Sequence, residues 1–184
     1  DENQYYDMLS AFCKSLRGSD AEAGLYYANR LISGGLDPLI IARRLIAHAS
    51  EDVGMADSYA LTMAINALIA IKEIGMPEAN IPLSHAIIYV CEAEKSNSVV
   101  TAMNMAQKDA EENKDDDIPA YLKNQNNLES ERPEDYKYPH NYGGYVEQQY
   151  MPNSLKDRIY YVPSNNGYEK DLKRKKVFSK TCKK

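Results

Sequence analysis

The sequence predicts an all-α fold, a helical bundle followed by an irregular tyrosine-rich C-terminal extension. Three observations carry this. Apolar residues recur every three or four positions from Tyr5 to about Gln107. Those windows are separated by Gly, Pro and Asp in the positions that stop and start helices. Beyond Asp109 the periodicity gives way to an acidic run and then to a stretch of rings, amides and turn residues with neither helical nor strand spacing.

The first helix is set by Tyr5, Met8, Leu9, Phe12 and Leu16 and stops at Gly18. Ser19 with Glu22 three residues on has the form of a capping box, so a second helix starts near Asp20, presents Ala23, Tyr26, Tyr27, Arg30 and Leu31, and ends at Gly34-Gly35. Asp37-Pro38 supplies an N-cap and a first-turn proline for a third helix, expected to run to about Gly54. Asp57 caps a fourth, whose apolar face is Leu61, Ala64, Ile65, Leu68, Ile69 and Ile71 and which ends at Gly75. Pro82 opens a fifth that continues through Ala93, and Ser96 or Asn97 caps a sixth through Met103 and Ala106. Short turns between helices of this length make antiparallel neighbours, which is a bundle.

The expected organisation is therefore a bundle over residues 1–110, an acidic and polar connection over 111–135, and a tyrosine-rich segment with a basic tail over 136–184. The tyrosine-rich segment is expected to lie across the bundle surface. Within the last part, Arg158-Ile159-Tyr160-Tyr161-Val162 suggests a short extended piece and residues 168–178 a final basic helix.

A chain of 184 residues with 43% hydrophobic content is large enough for one real core. The formal charge of -5 excludes a molecule coated in positive potential, so a nucleic acid would have to meet a local basic patch. Cys13, Cys91 and Cys182 are odd in number and widely spaced, which is neither a disulfide framework nor a zinc site and suits a reducing cytoplasm. No apolar run approaches the roughly 20 residues that span a bilayer, and the start of the chain is acidic and polar, so no membrane partner is expected. The absence of an initial Met suggests a piece of a longer protein.

Catalytic, cofactor-binding and metal residues are not identifiable. The chain has no phosphate-binding Gly-x-x-x-x-Gly-Lys loop and no apolar strand ending in paired acids. His48, His85 and His140 lie at no metal-ligand spacing and are expected to be structural, His140 by bonding to a neighbouring backbone group. Glu51 and Asp52 are adjacent and point about 100° apart on a helix, which suits capping or ion pairing more than acid-base chemistry. Arg43 and Arg44, two turns earlier, are their expected partners in a surface charge network, with a partner site as the alternative. Lys170, Lys173, Arg174, Lys175 and Lys176 form the concentrated basic region, suited to phosphates or simply to a solvated terminus.

The stretch Lys137-Tyr138-Pro139-His140-Asn141-Tyr142-Gly143-Gly144-Tyr145-Val146-Glu147-Gln148-Gln149-Tyr150-Met151-Pro152 also carries a family resemblance. With Ser10-Ala11-Phe12, Lys14-Ser15-Leu16-Arg17-Gly18-Ser19-Asp20 and Ala42-Arg43-Arg44-Leu45-Ile46 through Ser50-Glu51-Asp52-Val53-Gly54, the chain resembles the C-terminal part of the replication-associated recombination protein A (MgsA) family. These are AAA+ ATPases related to clamp loaders and similar to the eukaryotic Werner helicase-interacting ATPases. The resemblance departs at Cys13, where the family usually has His, at Glu94, where it usually has Pro, and at Tyr121-Leu122-Lys123-Asn124, where a Leu-Arg-Asn element is usual.

The resemblance implies a fold like the clamp-loader C-terminal collar and a non-catalytic oligomerisation role in an ATPase of replication-fork maintenance, recombination and repair. ATP and magnesium would belong to the parent protein. The implied partners are further copies in a homotetramer, DNA through the full-length protein, and single-strand-binding protein or other replication proteins. The candidate interface is Ile65, Leu68, Ile69, Ile87 and Ile88, with Tyr142, Tyr145, Gln148, Gln149 and Tyr150 as a clasp; periodicity does not separate partner-facing from core-facing residues. The alternative is a DNA-binding or partner-binding module using the basic tail and surface tyrosines. A stand-alone hydrolase lacks a nucleophile, base and orienting group that can be named together.

Overall fold

The computed structural model describes residues 1–124 and 136–176. Six α-helices account for most of them: α1 (Glu2–Arg17), α2 (Ala21–Ser33), α3 (Pro38–His48), α4 (Tyr59–Ile74), α5 (Asn80–Glu92) and α6 (Ser98–Glu112). Among the described residues there is no strand, so the all-α fold class holds. The chain divides into two compact units, one of Asp1–Asn104 with Tyr161–Leu172, the other of Met105–Tyr160 with the chain from Lys173 onward; α6 contributes residues to both.

The first unit is a bundle. Phe12 and Leu16 of α1, Ala28 and Leu31 of α2, Ile41 and Leu45 of α3, and Leu83, Ile87, Val90 and Cys91 of α5 form its core. Ala60, Ala64 and Ala67 give α4 a small-residue inner face, which lets its backbone approach its neighbours closely. α2 sits equally close to α5: a Cβ on Gly24 would lie 3.2 Å from Ile87 Cγ2 and 3.3 Å from Cys91 Sγ.

Helix boundaries follow local chemistry, with informative shifts. α1 ends in a Schellman-like arrangement in which Asp20 N–H donates to the Ser15 carbonyl (3.0 Å). The left-handed residue there is Ser19 (φ 60°), whereas Gly18 keeps a negative φ. Ser19 is thus consumed by the end of α1, and Asp20 caps α2 through Ala23 N–H (2.9 Å), correcting the expected capping box. Asp37 caps α3 through Leu39 N–H, and Asp57 accepts from Tyr59 N–H, as their positions suggest. The third helical stretch does reach Gly54, but after His48 it widens into a π-turn (Ala49–Val53) and then tightens into a 3-10 turn (Gly54–Ala56). α5 starts at Asn80, before Pro82, and α6 continues to Glu112 through the first part of the acidic run.

The second unit is irregular apart from its share of α6 and three 3-10 turns, Ala120–Leu122, Pro139–Tyr142 and Asn153–Leu155. Asp109, buried on α6, holds the returning chain by accepting from Arg158 Nε (2.9 Å) and Tyr160 OH (2.8 Å). Ser154 bonds Asp116, and Tyr121 OH donates to the Gln149 carbonyl. Residues 158–162 run as irregular chain without a paired strand. The expected final basic helix is absent through Lys176: helical turns stop with the 3-10 piece Gly167–Asp171, and the rest of that expectation, like Cys182, lies outside the described residues.

Candidate functional site

Two adjacent isoleucines show how the bundle divides its apolar residues. Ile87 is fully enclosed in the core, so its side chain is not available to a partner, while Ile88 faces outward at 42% exposure. Ile65 and Ile69, one turn apart on α4, are 40% and 50% exposed, and Ile81 on α5 reaches 76%. Leu68 is half-buried against the core. Along α5 a shallow groove lined by Pro77, Ile81, His85 and Ile88 continues past Tyr89 toward Glu92. Ile81 and Ile88 are two turns apart and therefore share a face.

The clasp residues divide by chemistry. Gln148 works inside its own loop: its side-chain carbonyl accepts from Lys137 N–H (3.1 Å) while its amide donates to the Lys137 carbonyl (2.8 Å) and to Tyr150 OH (2.8 Å). Gln149 donates to the Met151 carbonyl and to Asn153 Oδ1. Gly143 and Gly144, at φ 75° and 101°, turn the chain between these anchors. The rings of Tyr142, Tyr145 and Tyr150 remain exposed, as do Tyr136 and Tyr138, and His140 lies against Tyr138 with ring centres 5.2 Å apart. The amides fix the loop and the rings face solvent.

Of the basic residues, Lys170, Lys173 and Lys175 are exposed while Arg174 and Lys176 are half-buried. Lys170 belongs to the first unit and the other four to the second.

Asp52 is the centre of a charged cluster that sequence reasoning assigned to other partners. Arg17 of α1 donates from Nε to Asp52 Oδ1 (2.8 Å), and His48 Nδ1 lies 2.7 Å from Asp52 Oδ2. Arg17 also reaches Glu51 at 3.5 Å. Arg43 and Arg44 point to solvent from α3, so the arginine that Asp52 pairs with is not on its own helix but 35 positions away across the bundle. His48 and Asp52 are both buried. The Cys13 side chain and, further, Asp52 raise His48 to about 9 against the lowering effect of burial. The π-turn contributes by placing Asp52 under His48 as α3 ends, a widening often found where a helix serves a site.

Glu169 is the most deeply buried of the acids among the described residues, 2% exposed, against 7% for Asp52 and 8% for Asp109. It accepts from Ser98 Oγ (2.8 Å), Tyr161 OH (2.6 Å) and Ser164 Oγ (3.0 Å). Burial pushes its carboxyl up, but these donors and Ser96 outweigh it and hold it below the ordinary range. Lys95 closes the end of α5 by donating to the Val90 and Cys91 carbonyls, and Asn166 donates to the Lys95 carbonyl (2.9 Å). These bonds seat Tyr161–Leu172 within the first unit. Among the described residues no group of three or more His, Cys, Asp or Glu side chains is arranged to hold a metal ion, and no helix is long and apolar enough to cross a membrane.

The order of these features along the chain, from the Asp52 turn to the glutamine-anchored tyrosine loop, falls within one family description, MgsA AAA+ ATPase C terminal, which matches residues 18–179. The chain belongs to this family. The MgsA C-terminal domain described here is similar to replication-associated recombination protein A of Bacillus subtilis, 46% identical over 188 residues that take in 95% of the chain and 44% of that protein. It is 39% identical to the protein of the same name from Escherichia coli K12, over 91% of the chain and 38% of that protein. It is 34% identical to ATPase WRNIP1 of Dictyostelium discoideum, over 85% of the chain and 18% of that protein. The MgsA domain thus spans less than half the length of these relatives, and its residues include no phosphate-binding loop that would receive a nucleotide.

Proposed function

We propose that this domain is the oligomerisation module of a clamp-loader-like AAA+ ATPase that acts in replication-associated recombination. The observation that carries the reading is the outward isoleucine face of α4 and α5, with Ile65, Ile69, Ile81 and Ile88 in water on a bundle whose core is already complete. Pairing such faces between copies removes apolar surface from water at about 25 cal/mol per Å² and fixes the spacing of whatever the parent attaches to each bundle. A homotetramer in the cytoplasm, with ATP and magnesium handled elsewhere in the parent, is the arrangement this role requires. Light scattering over a concentration series tests it. The intact chain is expected to give a multimeric mass and Ile69→Asp with Ile88→Asp a monomeric one; a monomer of the unaltered chain at every concentration refutes the reading.

A second reading has its own observation, the outward tyrosines of the loop at residues 136–150 and the exposed Lys173 and Lys175, all in the second unit. Exposed rings stack on bases and lysines neutralise phosphates, which describes a contact for single-stranded DNA or for a replication partner such as single-strand-binding protein. Binding that is steep in salt and lost on deleting residues 173–184 supports the DNA form; binding unchanged by that deletion removes the basic tail from it.

A further inference from the structure

Several separate stretches of the first unit meet around one pocket of about 570 Å³, a size that holds a small ligand or a few residues of a peptide. Its walls are the end of α1, the π-turn, the turn between α5 and α6, the first turn of α6 and the returning chain around Ser164. It shares no residue with the groove along α5. Hydrogen bonds between the stretches fix the frame: Ser96 N–H donates to the Asp52 carbonyl (2.8 Å) and Asn166 Nδ2 to the Lys95 carbonyl (2.9 Å). A site whose frame is set before a ligand arrives loses less freedom on binding.

The lining decides what fits. Its charges cancel, with Arg17 and Lys95 as the cations and Glu51 and Asp52 as the anions. Both cations are committed. Arg17 lies 2.8 Å from Asp52 and 3.5 Å from Glu51, and the three Lys95 protons go to the Val90, Cys91 and Ala93 carbonyls. An anion would therefore face two carboxylates without a cation to itself, a like-charge contact that costs affinity. A nucleobase would find no aromatic ring to stack on among the described residues of the lining. What stays open is amide chemistry. Asn97 is exposed, and its carboxamide makes no hydrogen bond among the described residues. Asn166 spends Nδ2 on Lys95 and keeps Oδ1 open. A carboxamide donates and accepts side by side, which is the pattern a peptide bond matches. Val100 adds an apolar wall for one side chain. We propose that this pocket binds a short, extended and uncharged peptide segment of a partner protein, whose main-chain N–H and C=O groups pair with Asn97 and Asn166.

The experiment is a titration of the full chain with the blocked peptide acetyl-Ala-Val-Ala-amide, read by NMR at the side-chain amide signals of Asn97 and Asn166. Both signals are expected to shift and to saturate in the low millimolar range or tighter, while Asn66, exposed on α4, stays in place. Asn97→Ala is the informative variant, because that side chain holds no bond of the fold. In it, the Asn166 signal is expected to need at least about threefold more peptide to saturate. Shifts that grow linearly and equally at Asn66 and Asn97 overturn the proposal, as does an Asn97→Ala protein that binds like the unaltered chain. Inorganic phosphate or oligo-dT that saturates the two amides where the peptide does not also overturns it, and gives the pocket to an anion or to DNA.

Discussion

Gly167 is packed so tightly against Ala56 that a Cβ at position 167 would lie 2.3 Å from the Ala56 carbonyl oxygen. Its φ of 57° is also one that side chains of the L series rarely adopt. Both facts act in one direction. Gly167→Ala is expected to destabilise the first unit by about 2–4 kcal/mol, through the clash and the strained backbone together. Urea unfolding measures it, and the loss should coincide with faster hydrogen exchange over residues 161–172, the stretch that Gly167 seats.

Glu169 makes the stability of that same stretch depend on acid. Its folded pKa lies below the unfolded value of 4.5, so the stabilisation is complete above that value and is lost as pH falls through the folded pKa. The expected outcome is a melting temperature that drops below about pH 4.5 in the parent, with a shallower drop in Glu169→Gln. At neutral pH that variant should already be less stable by about 1–3 kcal/mol, because an amide nitrogen then faces hydroxyl donors. Equal acid sensitivity in the two proteins would assign the loss to other carboxylates.

The helices were legible because their information is local. Asp37-Pro38 and Gly75 mark ends by chemistry that works within one turn, and the structure keeps them. The one misplaced cap, Ser19 in place of Asp20, arose because two adjacent motifs compete for the same residues, and closing α1 used Ser19 first. What the sequence withheld is information carried across the bundle. Arg17 meets Asp52 only after α1 packs near the end of α3, and nothing in the spacing of 35 residues announces it. Ile87 and Ile88 are chemically identical neighbours separated only by the roughly 100° of a helix step, which places one in the core and one in water. The glutamines of the tyrosine loop could be recognised as anchors, but whether they anchored a partner or their own loop depended on the return of the chain to Lys137.

His48, raised by the Cys13 side chain and by Asp52, should make the protein sensitive to alkali. The folded pKa of His48, about 9, lies above its ordinary 6.5, so the stabilisation is fully present below 6.5 and is lost as pH rises through 9. A shift of this size corresponds to about 3 kcal/mol at most. Thermal melts between pH 6 and 10 are expected to show a decline that His48→Gln removes. Asp52→Ala should cost about 1–3 kcal/mol at neutral pH, since it leaves His48 and the half-exposed Arg17 with only the more distant Glu51 as an acid partner. A variant that unfolds at the parent's urea midpoint would mean that the cluster is solvated and energetically idle.

The last prediction separates the two jobs that the tyrosine loop combines. Gln148 bridges Lys137 through both of its backbone groups, closing a loop across a separation of eleven positions with one side chain. Removing that side chain frees a backbone donor and acceptor, each bond contributing about 1 kcal/mol, and lets the intervening rings sample many positions. Gln148→Ala is therefore expected to raise hydrogen exchange at Lys137 and neighbouring amides at least about tenfold while leaving the bundle's melting temperature within about 2 °C of the parent. Tyr142→Ala, which removes an exposed ring, should leave the exchange at Lys137 unchanged. If instead Tyr142→Ala loosens the loop and Gln148→Ala does not, the rings hold the shape, and the division of labour between amide anchors and outward aromatic contacts is the reverse of the one drawn from the hydrogen bonds.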